Sequence, residues 1–292
     1  MPSAHSSNLK GIFSMLIAVA TFAMMDAALK QLGQHYSPVQ VASMRGFASL
    51  PFLLATIAFS NRWRELKPQR WPLHIVRGLL AIAMLTLFVY AIRQLSLSSA
   101  YAVFLCGPLL VTALSVPLLG ERVDAKRWIA ISIGLAGVVT MLRPTTADVF
   151  TLGALAAFIA AVCYAFAAIM IRTLSRTETT LSISFSFMLT VAVVAGAIAA
   201  PNWQAIAREH WIWIATLGLT GAIGQYFIVE AFRHAPASVV APFDYTALIW
   251  GALMDWIFWR TLPDARMMLG AAVVVATGLY LIYRERTMRM AV

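Results

Sequence analysis

Long apolar runs, interrupted at short intervals by small polar clusters, dominate this chain. Ten runs stand out, at roughly 11–32, 39–60, 73–92, 98–119, 126–143, 152–174, 181–200, 211–232, 239–259 and 266–283. A bilayer core of about 30 Å takes about 20 apolar residues of helix to cross, and each run is of that order. The runs are continuously apolar and do not alternate strictly, so they predict helices and not the strands of a barrel. The links between them are short and leave no room for a soluble domain. The expected fold is an all-α integral membrane protein with ten transmembrane helices.

Polar clusters set the direction of the runs. With the N-terminus inside, fifteen Lys and Arg residues fall at cytoplasmic ends and six at outer ends, and the loop "NRWRELKPQRWP" at 61–72 weighs most. The positive-inside rule then places both termini in the cytoplasm.

The runs also repeat. "YAIR" at 90–93 is echoed by "EAFR" at 230–233, "VDAKR" at 123–127 by "PDARM" at 263–267, and Gly78 by Gly218. Gly11 with Gly153, and Lys30 with Arg172, match at nearly the same offset. The halves are read as 1–145 and 146–292. Five is an odd number of spans, so the second copy must enter the membrane from the opposite side. Two inverted five-helix repeats are an arrangement of carriers whose sites lie near the bilayer midplane.

The stretches "SVPLLGERVDAKRWIAISIGLAGVVTML" (115–142) and "ASVVAPFDYTALIW" (237–250) carry a family resemblance. With the ten-helix layout, they resemble the drug/metabolite transporter superfamily, specifically its EamA-type exporters. The resemblance implies a bacterial inner-membrane protein with a central cavity between its halves, and leaves the substrate open among amino acids, nucleosides, drugs and other metabolites. One departure stands out. The Gly120-Glu121 that usually closes the fourth helix has Arg260-Thr261 in its place in the second half, so no role of a second-half glutamate carries over.

Composition sharpens the class. The chain is 61% hydrophobic and 12% charged, about half the charge of a soluble domain. Its net charge of +10 sits in the inter-span clusters, as topology signals do, and not on a nucleic-acid-binding face. Cys106 and Cys163 lie in apolar runs without a metal or redox spacing. No HExxH, nucleophile elbow or P-loop is present, and the five histidines are dispersed. No cofactor, metal or enzymatic activity is expected. A channel would need a filter loop or charged ring, and neither is seen. The first run is too long for a cleavable signal.

The remaining candidates are polar residues inside the runs, since a charge at mid-bilayer costs at least about 2.5 kcal/mol. Asp26 and Arg45 each lie about 9 Å below the outer ends of the first two spans. They read either as a structural ion pair or as an anchor for a zwitterion, with Arg45 taking a carboxylate and Asp26 an ammonium. Glu230 and Asp244 lie near the cytoplasmic side, as an interfacial pair with Arg233 or as the lining of a vestibule. Asp255 shares a helical stripe with Asp244, eleven residues away, and Pro242 reads as a helix start. Tyr90, Tyr101, Tyr164, Tyr226 and Tyr245 are the aromatic cavity candidates. Arg77 is expected to snorkel and His74 to lie at the interface.

The leading reading is a secondary exporter of small metabolites, amino acids and their relatives, working by alternating access in the lipid bilayer. The alternative is an exporter of drugs or lipophilic cations, with Glu230, Asp244 or Asp255 as counter-charges. A monomer is expected to suffice, with a dimer as the other arrangement.

Overall fold

The computed structural model describes residues 4–66, 68–94, 103–142 and 151–259, together with 265, 268–270, 272–273, 275–277, 279–280 and 283. Helices α1 (Ala4–Leu32), α2 (Pro38–Ser60), α3 (Trp71–Gln94), α4 (Gly107–Leu119) and α5 (Ala125–Leu142) form the first half. Helices α6 (Leu152–Leu174), α7 (Thr180–Ala199) and α8 (Trp211–His234) open the second. The ninth span is composite: α9 (Ala237–Val240), a 3-10 segment (Ala241–Thr246) and α10 (Ala247–Trp259). The described residues between 265 and 283 are helical too. The bounds fall close to the apolar runs.

Local chemistry fixes the ends. The Ser37 hydroxyl accepts from the Gln40 N–H and Pro38 follows it, the two standard signals of a helix start. Thr151 and Thr179 cap α6 and α7 through Ala154 N–H and Ser182 N–H. At the other ends Asn61 (φ 51°) and Gly120 (φ 69°) take the left-handed conformation that stops a helix.

Burial is inverted relative to a soluble protein. Large apolar side chains face outward, Phe59 and Ile212 among them, while α6 buries Ala154, Ala157, Ala160, Ala161, Ala165 and Ala168. Lipid gives helices no hydrophobic drive to associate, so small residues and close backbones supply the packing. Gly46 and Gly218 show how close. A methyl group on Gly46 would come within 2.6 Å of the Ala192 backbone, and one on Gly218 within 2.4 Å of the Ala48 carbonyl. Among the described residues, six helices are long and apolar enough to cross a membrane.

The packing is two-fold. α1 packs on α8 and α6 on α3; α2 on α8 and α7 on α3; α4 on α6 and α10 on α1. Each pairing is the other with the halves exchanged, and α2 on α7 maps onto itself. Ser7 Oγ donates to the His234 carbonyl, so α1 starts where α8 ends. The Arg172 guanidinium, in the last turn of α6, donates to the Phe232 and Arg233 carbonyls, so α6 finishes at the same place. The leading helices of the two halves therefore run in opposite directions, and the repeat is inverted.

Candidate functional site

Two spans at corresponding positions are broken. Leu105 and Cys106 form a turn between helical residues 103–104 and α4. At the offset of the VDAKR/PDARM match their counterparts are Tyr245 and Thr246, the last two residues of the 3-10 segment. A short 3-10 stretch inside a membrane helix marks a hinge or a site. Pro242 is thus not the helix start expected of it. The span begins at Ala237, and Pro242 sits where α-helix gives way to 3-10. The stripe joining Asp244 to Asp255 loses its basis as well. Three steps at 120° in place of 100° displace Asp244 by roughly 60°. The side chain of Asp255 and the whole of Tyr101 lie outside the described residues.

Around these breaks the Tyr164 hydroxyl donates to an Asp244 carboxylate oxygen, bridging α6 to the ninth span. Phe104 leans on the Tyr164 ring at 6.0 Å. Gly107 leaves room for that ring, since a methyl group there would come within 3.0 Å of it. Tyr245, next along, is buried, and its hydroxyl has no partner. Tyr164, Asp244 and Tyr245 thus gather at one place between α4, α6 and the ninth span.

A second polar group lies between α1, α2, α3 and α7. Asp26 and Arg45 are in electrostatic reach of each other without a direct ion pair. The Arg45 guanidinium lies 5.6 Å from the centre of the Phe22 ring, and its Nε is buried without a partner. It lines a pocket with Leu29, Ala81, Leu85, Phe187 and Val191. Arg77 does not snorkel. It is 2% exposed, turned inward over the Phe187 ring at 4.2 Å, with one long contact from a guanidinium nitrogen to the Ile183 carbonyl.

Where α1 starts, a charged network closes the bundle. Glu178, in the link between α6 and α7, accepts from the Gln69 and Arg70 N–H groups and pairs with His74 Nε2 at 2.8 Å. His74 is fully buried, in the first turn of α3 at this end of the bundle. Glu230 accepts from the Thr180 hydroxyl and sits 3.6 Å from Arg233 Nε and 3.3 Å from His234 Nδ1. Arg233 also donates to Thr180 Oγ1 and to the Glu178 carbonyl. Tyr226 lies one turn before Glu230, half-buried, with Phe227 edge-on. Glu121 caps the ninth span by accepting from the Ala237 and Ser238 N–H groups and the Ser238 hydroxyl.

Tyr90 stands apart, 43% exposed. Sequence reasoning missed Glu178, the reach of Glu121 to the ninth span and the inward turn of Arg77. The signals available were the Gly120-Glu121 pair at the end of an apolar run, and an acid, Glu178, just before Thr179.

The pattern of the EamA-like transporter family matches residues 9–143 and again 151–284, one copy in each half. The chain belongs to the EamA-like transporter family. Among relatives of this EamA protein is an S-adenosylmethionine uptake transporter of Rickettsia prowazekii (strain Madrid E), 28% identical over 286 residues, covering 98% of this chain and 97% of the relative. Another is the pseudopaline exporter CntI of Pseudomonas aeruginosa (strain UCBPP-PA14), 26% identical over 266 residues, 91% of this chain and 93% of the relative. A solved crystal structure superimposes with a TM-score of 0.79 at 19% identity, over 96% of this chain and 99% of that one, and shows the same fold. The chain is therefore a multi-pass membrane transporter of the drug/metabolite superfamily. Its named relatives carry small molecules, one inward and one outward.

Proposed function

We propose that this transporter carries small metabolites with an amino-acid moiety, by alternating access between its two halves, 1–145 and 146–292. The observation that carries this reading is the placement of Asp26 and Arg45, Arg45 lining a pocket and Asp26 exposed on α1 within electrostatic reach of it, opposite charges that do not bond each other. A zwitterion satisfies both, its carboxylate on the planar guanidinium and its ammonium on the aspartate. S-adenosylmethionine, the substrate named for the rickettsial relative, is such a molecule at its amino-acid end. Inversion of the repeats supports the mechanism, because exchanging the conformations of the halves turns a packing open to one side into its mirror.

The excess of Lys and Arg on the face where α1 starts supports a bacterial inner-membrane location with that face in the cytoplasm. A second reading, transport of an organic cation, is favoured by the Tyr164–Asp244 pair beside Phe104, an acid held in an aromatic setting.

Proteoliposomes of the purified protein, offered labelled S-adenosyl-L-methionine and a panel of labelled L-amino acids and lipophilic cations, test both. Saturable flux of amino-acid-bearing members above empty vesicles is expected. Flux of lipophilic cations alone would select the second reading, and flux of nothing in the panel would overturn both. An imposed pH gradient in the same assay reports proton coupling.

A further inference from the structure

We infer that Arg45, Arg77, Ser49 and Gln225 form a carboxylate-binding subsite of the transport pathway. The inference rests on the transporter reading above and adds a second arginine and two neutral donors to it.

The charge balance points to an anion. Arg45 and Arg77 lie close enough to repel each other, and both abut Phe187, Arg77 over its ring and Arg45 in the pocket that the ring lines. Among the described residues Asp26 is the acid in electrostatic reach of Arg45, and none pairs with Arg77. Arg77 is buried and Arg45 half-buried with its Nε enclosed, while Asp26 is exposed on α1, so two guanidiniums face one carboxylate and one positive charge is in excess. An unmatched charge in a membrane interior is costly, and a ligand of opposite sign relieves it.

The hydrogen-bond inventory points the same way. A guanidinium carries five N–H donors. Arg77 has only the 3.5 Å contact to the Ile183 carbonyl, and Arg45 Nε has no partner. Ser49 Oγ, one helical turn from Arg45 on α2, is buried and unpartnered, and so is Gln225 Nε2 on α8. Gly221 lies one turn from Gln225 and brings the two helices together there. A methyl group on it would stand 2.9 Å from Ser49 Oγ and 3.7 Å from Arg45 Nε. Buried polar groups are normally bonded, so these spare donors describe the ligand. It supplies acceptors, it is anionic, and a planar carboxylate fits the fork of a guanidinium through two parallel bonds.

The test compares each carboxylate-bearing member of the panel with its decarboxylated amine, S-adenosyl-L-methionine and its decarboxylated form included. Thermal stabilisation of the detergent-purified protein reports binding, and proteoliposome flux reports transport. The acids are expected to bind and the amines to bind tenfold or more weaker, roughly the loss of one or two bonds to a charged group. Arg45→Lys and Arg77→Lys keep the charge and lose the fork. Each is expected to raise KM about tenfold for the acids, narrow the difference between acids and amines, and elute as folded protein. Ser49→Ala and Gln225→Leu, milder for folding, are expected to raise KM a few-fold. Equal binding of acids and amines by the unaltered protein overturns the subsite and leaves the transporter reading intact. Equal stabilisation by chloride also overturns it, as a site for any small anion. Absence of binding and flux for every acid and amine overturns both.

Discussion

The two ends of the seam between α2 and α7 are held by different chemistry. Where α1 starts, Glu178 is buried between the links, bonded to two backbone N–H groups, to His74 and to Ser182. At the other end Tyr36 occupies the corresponding place, 142 positions earlier, and bonds His210 Nδ1 at 2.8 Å and the Ala207 N–H at 3.0 Å. Beside it Gln40 and the Gln204 backbone exchange two hydrogen bonds. One end is closed by a carboxylate, the other by a phenol and an amide. Charge-assisted hydrogen bonds are roughly twice as strong as neutral ones. The two closures of an inverted repeat are thus unequal, and the end at the start of α1 is the harder to open. If the carrier alternates between its two faces as proposed, the resting population is expected to favour access from the opposite face.

The largest effect is expected at Glu178. Glu178→Ala strips the acceptor from two N–H groups and leaves His74 Nε2 buried without a partner, and each buried donor left unsatisfied costs about 1–3 kcal/mol. Thermal unfolding in detergent checks the loss. Cysteines placed on either face, labelled with a membrane-impermeant thiol reagent, check the bias: labelling should rise at the end where α1 starts. A rise at the opposite end would reverse the assignment of the stronger lock.

Next comes Tyr36→Phe, which leaves the Ala207 N–H and a buried His210 without their oxygen. About 1–2 kcal/mol is expected, with labelling rising at the face away from the start of α1. Opposite responses to the two substitutions would show that the closures compete. Parallel responses would mean that both only glue helices together, and alternating access would have to be sought elsewhere. Glu121→Gln ranks third. It keeps the shape of the cap on the ninth span and removes the charge facing two N–H groups, a change of about 1 kcal/mol.

How much of this was legible in the chain follows from which interactions are local. Apolar runs report helices directly, because a membrane helix satisfies its own backbone within one segment. The offset between YAIR and EAFR reports the inverted fold for a similar reason, since an odd-numbered repeat has no other way to insert. Glu178 and His74 are 104 positions apart, and hydropathy carries no information about which loop covers which helix end. Arg77 was expected to snorkel because it stands one and a half turns inside its span. The protein turns it inward, over Phe187 on α7, a contact no local pattern records. Pro242 misled for the opposite reason. Its usual position at a helix start is a strong local rule, but Pro236 and the Glu121 cap had already begun that span at Ala237. Asp26 and Arg45 were paired by depth alone; their helices are antiparallel neighbours in sequence, and the structure holds the two within electrostatic reach but not in a direct ion pair.

The smallest effect isolates burial from charge. Arg62 and Glu65 form an ion pair at 2.6 Å on the same face as Glu178, in the link between α2 and α3 and open to water. The hydrogen bond that Arg62 donates to the Glu65 carboxylate pushes the guanidinium above its already high value. A cation raised in this way adds stability that is complete below its unfolded value and is lost only as pH climbs through the folded one. That window lies in strong alkali, so the pair contributes no pH dependence near neutrality. Exposed pairs contribute about 0–1 kcal/mol and weaken with salt. Glu65→Gln should therefore shift unfolding by about 0.5 kcal/mol or less, leave labelling of both faces unchanged, and lose even this effect at high salt. If it opened the face as Glu178→Ala does, the surface charge of the link and not the buried carboxylate would be the lock, and the contrast between the two ends would have to be redrawn around the Lys- and Arg-rich loop.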